Sequence, residues 1–270
     1  MRKNKLRELI RKGKPSIGTH ILNTWPGVVE LIGHAGGYDY VEFTSTYAPW
    51  DLYDLDNLAR TTQLANISFM IKIDQEPRTF IAERAIAAGI QNLLFADIRN
   101  IEDADRAVKS VRAEPKGIMG MGMFRIAEYV FAKSSPADYR KTCEDAVIAF
   151  MIEKKSAVEN LEEILSVKGV DMVQFGPWDY SLSLGLSGKQ KSAWSLNHPK
   201  VKEAELKTIK MALKMNIRPR VELDSLESAQ KYIDLGVRDF CIGTDVSILF
   251  EWWHDKGANM KKLLSKKEKI

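Results

Sequence analysis

Residues 146–184 have the sequence AVIAFMIEKKSAVENLEEILSVKGVDMVQFGPWDYSLSL, and this stretch decides the fold. Two short apolar runs, Ala146–Ile152 and Val170–Phe175, flank a segment whose apolar side chains recur at helical spacing. This alternation predicts a unit of strand, helix and strand. Strands joined in this way are parallel, so their carboxyl ends lie at the same edge of the sheet.

An acidic residue follows each of these two predicted strands. Glu153 comes directly after the first strand, and Asp179 comes after the second, just beyond Gly176 and Pro177. Neighbouring strands lie roughly 5 Å apart, so the two carboxylates can share one hard divalent cation through their oxygen atoms. The alternative is that Glu153 caps a helix and Asp179 forms an Asx turn.

The rest of the chain repeats this alternation and gives eight predicted strands, near 17–22, 38–44, 67–73, 92–96, 146–152, 170–175, 218–223 and 240–242. The count predicts one α/β domain over residues 1–270, a (β/α)8 TIM barrel with its active site at the C-terminal strand ends. A doubly wound sheet is disfavoured because no Gly-x-Gly-x-x-Gly motif follows a strand. A basic helix near 2–12 precedes the barrel, and a helical tail near 244–265 follows it. Residues 124–139 are expected to form a loop or broken helix, and 183–195 an exposed loop.

The charge distribution argues against a nucleic-acid partner. The 40 Lys and Arg residues exceed the 36 Asp and Glu residues only through basic stretches at the two chain ends, and no aromatic residues alternate with them. Cys143 and Cys241 lack metal or redox spacing, which favours a reducing compartment. No apolar run approaches the roughly 18 residues of a membrane span, and no signal-type core follows the N-terminus. The sequence therefore predicts a cytoplasmic protein with no membrane partner.

The acid pair belongs to a longer pattern, apolar-Ile-Glu followed by Gly-Val-Asp-x-Val-x-x-Gly-Pro-x-Asp-x-Ser. This pattern resembles the HpcH/HpaI family of metal-dependent aldolases, and weaker similarity extends from about Leu6 to Phe250. The resemblance implies that Glu153 and Asp179 hold a divalent metal ion, Mg²⁺ or Mn²⁺, which chelates pyruvate or its enolate. It also implies a metal-dependent carbon–carbon lyase, of class II aldolase type, with a small-molecule 2-oxo acid as substrate.

The sequence departs from the family at two positions near the predicted site. The family usually has Asp-x-Glu-His-x-Pro after its second strand, whereas this chain has Thr44-Ser-Thr-Tyr47-Ala-Pro, so the Asp/His dyad is missing. Tyr47 is therefore a candidate acid or base, or else a packing residue. Lys72 replaces the family's substrate-binding Arg, and it neutralises an oxyanion without Arg's bidentate geometry. A structural pairing of Lys72 with Glu42 or Asp74 is the alternative.

His20, near the end of the first strand, is the other candidate for proton transfer, because a neutral imidazole beside a metal is a ready base. Strand alternation leaves open whether it faces the barrel or the helices. Glu42 shares strand parity with Thr44, and a carboxylate inside the barrel requires a cationic partner, for which Lys72 or His20 would serve. Arg78 is interpreted as a surface residue at a helix start.

The Gly-Pro-Trp-Asp turn is the predicted substrate-binding segment. By the resemblance, Gly176 and Pro177 border the substrate, and Trp178 replaces a small residue of the family, so that it narrows the pocket or stacks on the substrate. Related reactions, such as those of a CoA-ester lyase or an enolate-condensing synthase, stay open. A second hypothesis is a barrel that has lost aldol activity and acts as a binding or structural subunit.

The C-terminal tail predicts a homo-oligomer. Residues 248–253 concentrate aliphatic and aromatic side chains near the chain end, where an isolated barrel leaves some of them exposed. Members of the resembled family commonly exchange the last helix between subunits. The resemblance therefore implies a trimer or hexamer.

Overall fold

Eight parallel strands close into one barrel in sequence order in a computed structural model, which describes residues 3–122, 124–130, 135–186, 195–223 and 225–267. The strands are β1 Ser16–Ile21, β2 Tyr40–Thr44, β3 Ser68–Ile73, β4 Asn92–Phe95, β5 Val147–Ile152, β6 Met172–Phe175, β7 Arg218–Leu223 and β8 Asp239–Thr244. Neighbouring strands pair in parallel around the ring, and β8 closes it against β1. The predicted (β/α)8 barrel is confirmed.

Twelve α-helices are found in the described residues: α1 Lys5–Arg11, α2 Pro26–Ala35, α3 Leu52–Leu64, α4 Arg78–Ala88, α5 Ile101–Val111, α6 Pro136–Glu144, α7 Lys155–Glu159, α8 Leu161–Ser166, α9 Pro177–Ser183, α10 Pro199–Lys214, α11 Ala229–Asp234 and α12 Asp245–Lys267. Short 3-10 turns occupy Ser45–Tyr47, Arg125–Val130, Ser195–Asn197 and Leu226–Ser228.

Helix α9 was not predicted, and it begins at Pro177, whose fixed φ suits the first helical position. The loop or broken helix predicted over 124–139 is confirmed at Arg125–Val130, where Glu128 and Tyr129 both adopt a left-handed conformation, with φ of 52° and 56°. The end of that range differs from the prediction, because α6 begins at Pro136. Of the loop predicted over 183–195, the central part at 187–194 lies outside the described residues.

Helix α1 closes the amino-terminal end of the barrel. Leu6 is fully buried and packs into the interior cluster that includes Tyr40, Met70 and Met151. Arg7 anchors the helix from below, because its guanidinium donates at 2.7 Å to the carboxylate of Asp171, just before β6. With this end sealed, a small molecule reaches the barrel interior through the carboxyl ends of the strands.

The surface of α12 is unusually apolar. Nine of its aliphatic, thioether and aromatic side chains are exposed, namely Val246, Ile248, Leu249, Phe250, Trp252, Trp253, Met260, Leu263 and Leu264. Across the described ranges no helix combines the length and the apolar character needed to cross a bilayer. The exposed apolar face of α12 therefore calls for another explanation.

Candidate active site

A cavity of about 230 Å³ opens at the carboxyl ends of the strands. Side chains from seven of the strands or the turns after them line it, as in other barrels of this architecture. The cavity brings together all eight residues that the sequence analysis nominated, which are His20, Tyr47, Lys72, Glu153, Gly176, Pro177, Trp178 and Asp179. Five separate stretches of sequence thus meet at one place.

Glu153 lies at the base of this cavity, just after β5, and is 3% exposed. Its Oε1 accepts a 2.8 Å hydrogen bond from the backbone N–H of Asp97, which orients the carboxylate. Burial raises the pKa of Glu153, while the nearby Lys72 opposes that rise. A Cβ at Gly176 would lie only 2.7 Å from Oε2 of Glu153, so the glycine provides the space in which this carboxylate sits.

Asp179 lies in the first turn of α9 at the rim of the same cavity, with its side chain 40% exposed. Lys154 Nζ donates to it at 2.8 Å and also pairs with Asp97 at 2.9 Å. The lysine therefore balances the negative charge gathered at this edge. Two carboxylates on one cavity, one buried and one accessible, form an all-oxygen donor set that fits a hard divalent cation such as Mg²⁺ or Mn²⁺.

Lys72 and Tyr47 form a pair beside these acids. Lys72 Nζ lies 3.3 Å from Tyr47 Oη, donates a hydrogen bond to it, and stands 5.0 Å from the centre of the ring. Burial lowers the pKa of Lys72, but Glu153, Tyr47 and Glu42 outweigh that effect and raise it. Lys72 is therefore a cation at neutral pH, which suits it to countering an anion and not to forming a Schiff base.

A buried charged cluster lies beneath this pair, inside the barrel. Arg220 of β7 forms an ion pair with Glu42 and donates a 2.7 Å hydrogen bond from Nε to Tyr40 Oη. It also donates to Gln174 of β6. The sequence predicts Lys72 or His20 as the partner of Glu42; His20 is one partner, at 3.5 Å, and the Arg220 guanidinium is another that was not predicted. The sequence contains one indication of this pairing: Arg220 is a charged residue within a predicted strand, so it requires an anionic partner of its own.

His20 faces the barrel interior and contacts this cluster. Its Nε2 lies 3.5 Å from Glu42 Oε1, and its Nδ1 lies 3.3 Å from Glu222 Oε1. Burial lowers the pKa of His20, but Cys241 and Glu42 raise it, and the net shift is well above the ordinary value. This environment favours the imidazolium, which lacks the lone pair that a general base needs. The neutral imidazole expected from the sequence is not what this environment favours.

His20, Glu42 and Cys241 also place one potential ligand atom each within 4.8 Å of one another. However, the Arg220 guanidinium lies 3.4 Å from His20 Nε2 and pairs with Glu42. A divalent cation among these residues would stand directly against that positive charge. The cluster is therefore an internal ion-pair network and not a metal centre.

Arg78 is buried at 1% exposure, so the surface interpretation was wrong. The first turn of α4 packs against the end of β4, and the guanidinium donates at 2.9 Å to the carbonyl of Ala96. It thereby holds the turn in which Asp97 adopts a φ of 53° and presents its N–H to Glu153. Sequence periodicity gives no sign of this arrangement, because it depends on the path of a loop.

Comparison with known proteins gives a consistent result. The profile of the HpcH/HpaI aldolase/citrate lyase family matches residues 33–242. A 4-hydroxy-2-oxo-heptane-1,7-dioate aldolase from Shigella boydii serotype 18 is 26% identical over 247 residues, which cover 91% of this chain and 90% of the relative.

Solved structures agree over nearly the whole barrel. An HpcH/HpaI aldolase from Desulfitobacterium hafniense DCB-2 has a TM-score of 0.84 at 25% identity, covering 95% of this chain and 96% of that one. The citrate synthase SbnG has a TM-score of 0.85 at 19% identity, covering 97% and 99% of the two chains. At that identity the second likeness shows a shared fold.

Proposed function

Because this chain belongs to the HpcH/HpaI aldolase/citrate lyase family, we propose that it is a divalent-metal-dependent carbon–carbon lyase that acts on a 2-oxo acid through an enolate. The observation that supports this most strongly is the placement of Glu153 and Asp179 on one cavity with the cationic Lys72. A bound Mg²⁺ or Mn²⁺ would supply Lewis-acid stabilisation of the enolate's negative charge. Glu153 and Asp179 are the residues that would hold it.

The side chains beside the acid pair have separate roles in this proposal. Lys72 counters the charge of the 2-oxo acid, and Gly176, Pro177 and Trp178 form the wall against which the substrate lies. In the condensation direction the enolate carbon attacks the carbonyl carbon of the electrophile. Tyr47 donates its hydroxyl proton to the oxygen that becomes negatively charged. The resulting phenolate regains a proton from the carbon next to the keto group of the following 2-oxo acid as its enolate forms, and cleavage runs through the same atoms in reverse.

We expect Tyr47→Phe to lower kcat about 100-fold, because the ring is retained while the proton donor is lost. Tyr47 is 64% exposed, so the substitution should leave the fold intact. Steady-state cleavage and condensation assays with saturating Mn²⁺ measure the effect. Tyr53→Phe is the matched control, since Tyr53 is an exposed tyrosine on α3 that does not line the cavity.

The competing assignment is His20, and the same assays separate the two. His20→Gln should change kcat much less than Tyr47→Phe, because the imidazolium acts through its ion pairs. A small effect of Tyr47→Phe together with a large effect of His20→Gln would assign the proton transfer to His20 on β1. If neither substitution matters while Glu153 is required, neither side chain is the proton carrier.

One observation favours a different function, namely that Thr44 and Tyr47 replace the family's Asp/His dyad. On that alternative the barrel has lost aldol activity and acts as a binding or structural subunit. A panel of 2-oxo acids and aldehydes, assayed with and without divalent metal, distinguishes the two functions. Metal-dependent turnover of any member supports the lyase, whereas metal-independent binding without turnover supports the alternative.

We also infer that the chain forms a homo-oligomer through α12, as a trimer or hexamer in which this helix is exchanged between subunits. The support is its exposed apolar face, which includes Phe250, Trp252 and Trp253. Light scattering at micromolar concentration should give at least three times the 30.6 kDa chain mass. The double variant Phe250→Glu/Trp253→Glu should lower that mass, and a monomeric wild type would contradict the inference.

A further inference from the structure

A second polar wall of the cavity is formed by three consecutive strands of the ring. Glu222 from β7, Thr244 from the end of β8 and His20 from β1 all line it. In the closed ring β1 lies across from β5, the strand that ends at Glu153. A substrate held at Glu153 and Asp179 therefore extends its far end toward these three residues.

Glu222 is the accessible acid of this wall. Its Oε1 lies 3.3 Å from His20 Nδ1, and its Oε2 accepts a 3.2 Å hydrogen bond from Gln174 Nε2. These two contacts fix the orientation of the carboxylate, yet 52% of the side chain is exposed. A carboxylate offers about four acceptor positions, and among the described residues these two groups are its side-chain hydrogen-bond partners. The remaining acceptor positions are open to a ligand in the cavity.

The ionisation of this wall follows from the same contacts. Burial raises the pKa of Glu222, but the hydrogen bond and charge of His20 outweigh it and lower the pKa below its ordinary value. Glu222 is thus an anion at neutral pH, and His20 balances its charge. The wall therefore offers the Glu222 carboxylate as a hydrogen-bond acceptor, and His20 already balances the charge of this carboxylate.

This arrangement discriminates between classes of electrophile. A carboxylate on the far end of the electrophile would face the Glu222 anion and lose hydration without gaining a partner. An ammonium group would have to compete with His20, whose charge already compensates the Glu222 carboxylate. A hydroxyl group donates a hydrogen bond to Glu222 and leaves the charge balance unchanged, and Thr244 adds a neutral hydroxyl beside it.

We propose that Glu222 binds a hydroxyl group of the electrophile, so that the preferred partner of the 2-oxo acid is an uncharged hydroxylated aldehyde. The inference rests on the proposed lyase function and makes it more specific. It also separates this chain from the relative named for 4-hydroxy-2-oxo-heptane-1,7-dioate, whose substrate has a carboxylate at its far end.

The test compares glyceraldehyde with succinic semialdehyde as electrophiles for pyruvate in the metal-loaded full-length protein. Wild type should prefer glyceraldehyde in kcat/KM. Glu222→Gln should lower kcat/KM for glyceraldehyde about 10-fold, because a hydrogen bond to a charged acceptor becomes one to a neutral amide. It should also improve the relative use of succinic semialdehyde. Glu227→Gln, on the exposed turn after β7, is the matched control and should change neither value.

Metal-dependent decarboxylation of oxaloacetate separates this inference from the proposed function, because it forms the same enolate with no electrophile. Glu222→Gln should lower this activity much less than it lowers the condensation with glyceraldehyde, since decarboxylation places no electrophile against Glu222. A preference of wild type for succinic semialdehyde would overturn the inference while leaving the lyase in place. An equal loss of decarboxylation and of both condensations in Glu222→Gln would also overturn it, because that pattern indicates a structural role.

A binding measurement decides the inference even where there is no turnover. Calorimetry compares the affinity of the pyruvate–glyceraldehyde adduct with that of 4-hydroxy-2-oxo-heptane-1,7-dioate. Tighter binding of the hydroxylated adduct, weakened about 10-fold in Glu222→Gln, supports the subsite. Tighter binding of the dioate, or an affinity that does not respond to Glu222→Gln, overturns it. If the protein shows neither decarboxylation nor condensation, that result counts against the proposed lyase. The calorimetric comparison then decides by itself whether Glu222 forms the hydroxyl-binding subsite.

Discussion

Replacing Glu153 with glutamine is expected to lower kcat by at least about 1,000-fold, the largest effect of any single substitution in the site. Glutamine retains the size of the side chain and an oxygen that accepts the hydrogen bond from the N–H of Asp97. It removes the negative charge that a divalent cation requires. The fold should therefore persist while the affinity for Mn²⁺ and the turnover both fall.

Two measurements together test this expectation. Calorimetric titration with Mn²⁺ gives the affinity, and the oxaloacetate and aldol assays give the rate. Glu159→Gln is the matched control because it makes the same chemical change on α7, at an exposed position near Glu153 in sequence. If Glu153→Gln leaves both the Mn²⁺ affinity and the turnover unchanged, the acid pair has no role in the mechanism. Equal losses in Glu159→Gln would show that the effect is not specific to the site.

Arg220→Met is expected to cause the largest loss of stability, about 3–5 kcal/mol in the free energy of unfolding. The substitution leaves Glu42 as a carboxylate inside the barrel at 1% exposure, where only His20 and Lys72 are left to balance it among the described residues. In the native cluster burial raises the pKa of Glu42, but Arg220 and His20 hold it far below its ordinary value. The carboxylate is thus bound strongly as an anion. Removing the guanidinium withdraws most of that stabilisation.

A double-mutant cycle distinguishes the lost ion pair from lost packing. Glu42→Leu alone should also destabilise the protein, because Arg220 then has an uncompensated charge. The double variant Glu42→Leu/Arg220→Met should recover most of the stability, since buried ion pairs replaced by apolar residues of similar volume are often neutral. Urea unfolding followed by circular dichroism gives the free energy of unfolding of wild type and of the three variants, and hence the three changes that the cycle compares. Additive losses in the double variant would mean that the two residues do not act as a pair.

The outline of the barrel was predictable from local pattern. The strand of residues 218–223 has the predicted bounds, because alternation and chain order are properties of a short window of sequence. The acid pair was predictable for a related reason, since parallel strands joined by a helix must end at one edge. The residues that orient Glu153 were not predictable. Asp97 presents its N–H through a left-handed backbone conformation that Arg78 supports from α4.

The assignment of roles to His20 shows what the sequence leaves open. Its position near a strand end was readable from the chain, but the direction of its side chain and its charge were not. Both depend on Glu42, Glu222 and Cys241, which come from three other strands. Its ordinary pKa near neutrality makes the charge state especially sensitive to such neighbours.

The sequence by itself determined the order of strands and helices, the parallel barrel, and the edge at which Glu153 and Asp179 meet. These follow from periodicity and connection rules that act over a few tens of residues. Only the tertiary structure decided that Arg220 neutralises Glu42, that the pKa of His20 is raised, and that Glu222 faces the cavity. Ring closure sets those facts by pairing β8 with β1, so that side chains of β7 reach those of β1 and β2 inside the barrel. Electrostatic interactions act through space, so the partners of a buried charge depend on distances that the order of residues along the chain does not contain.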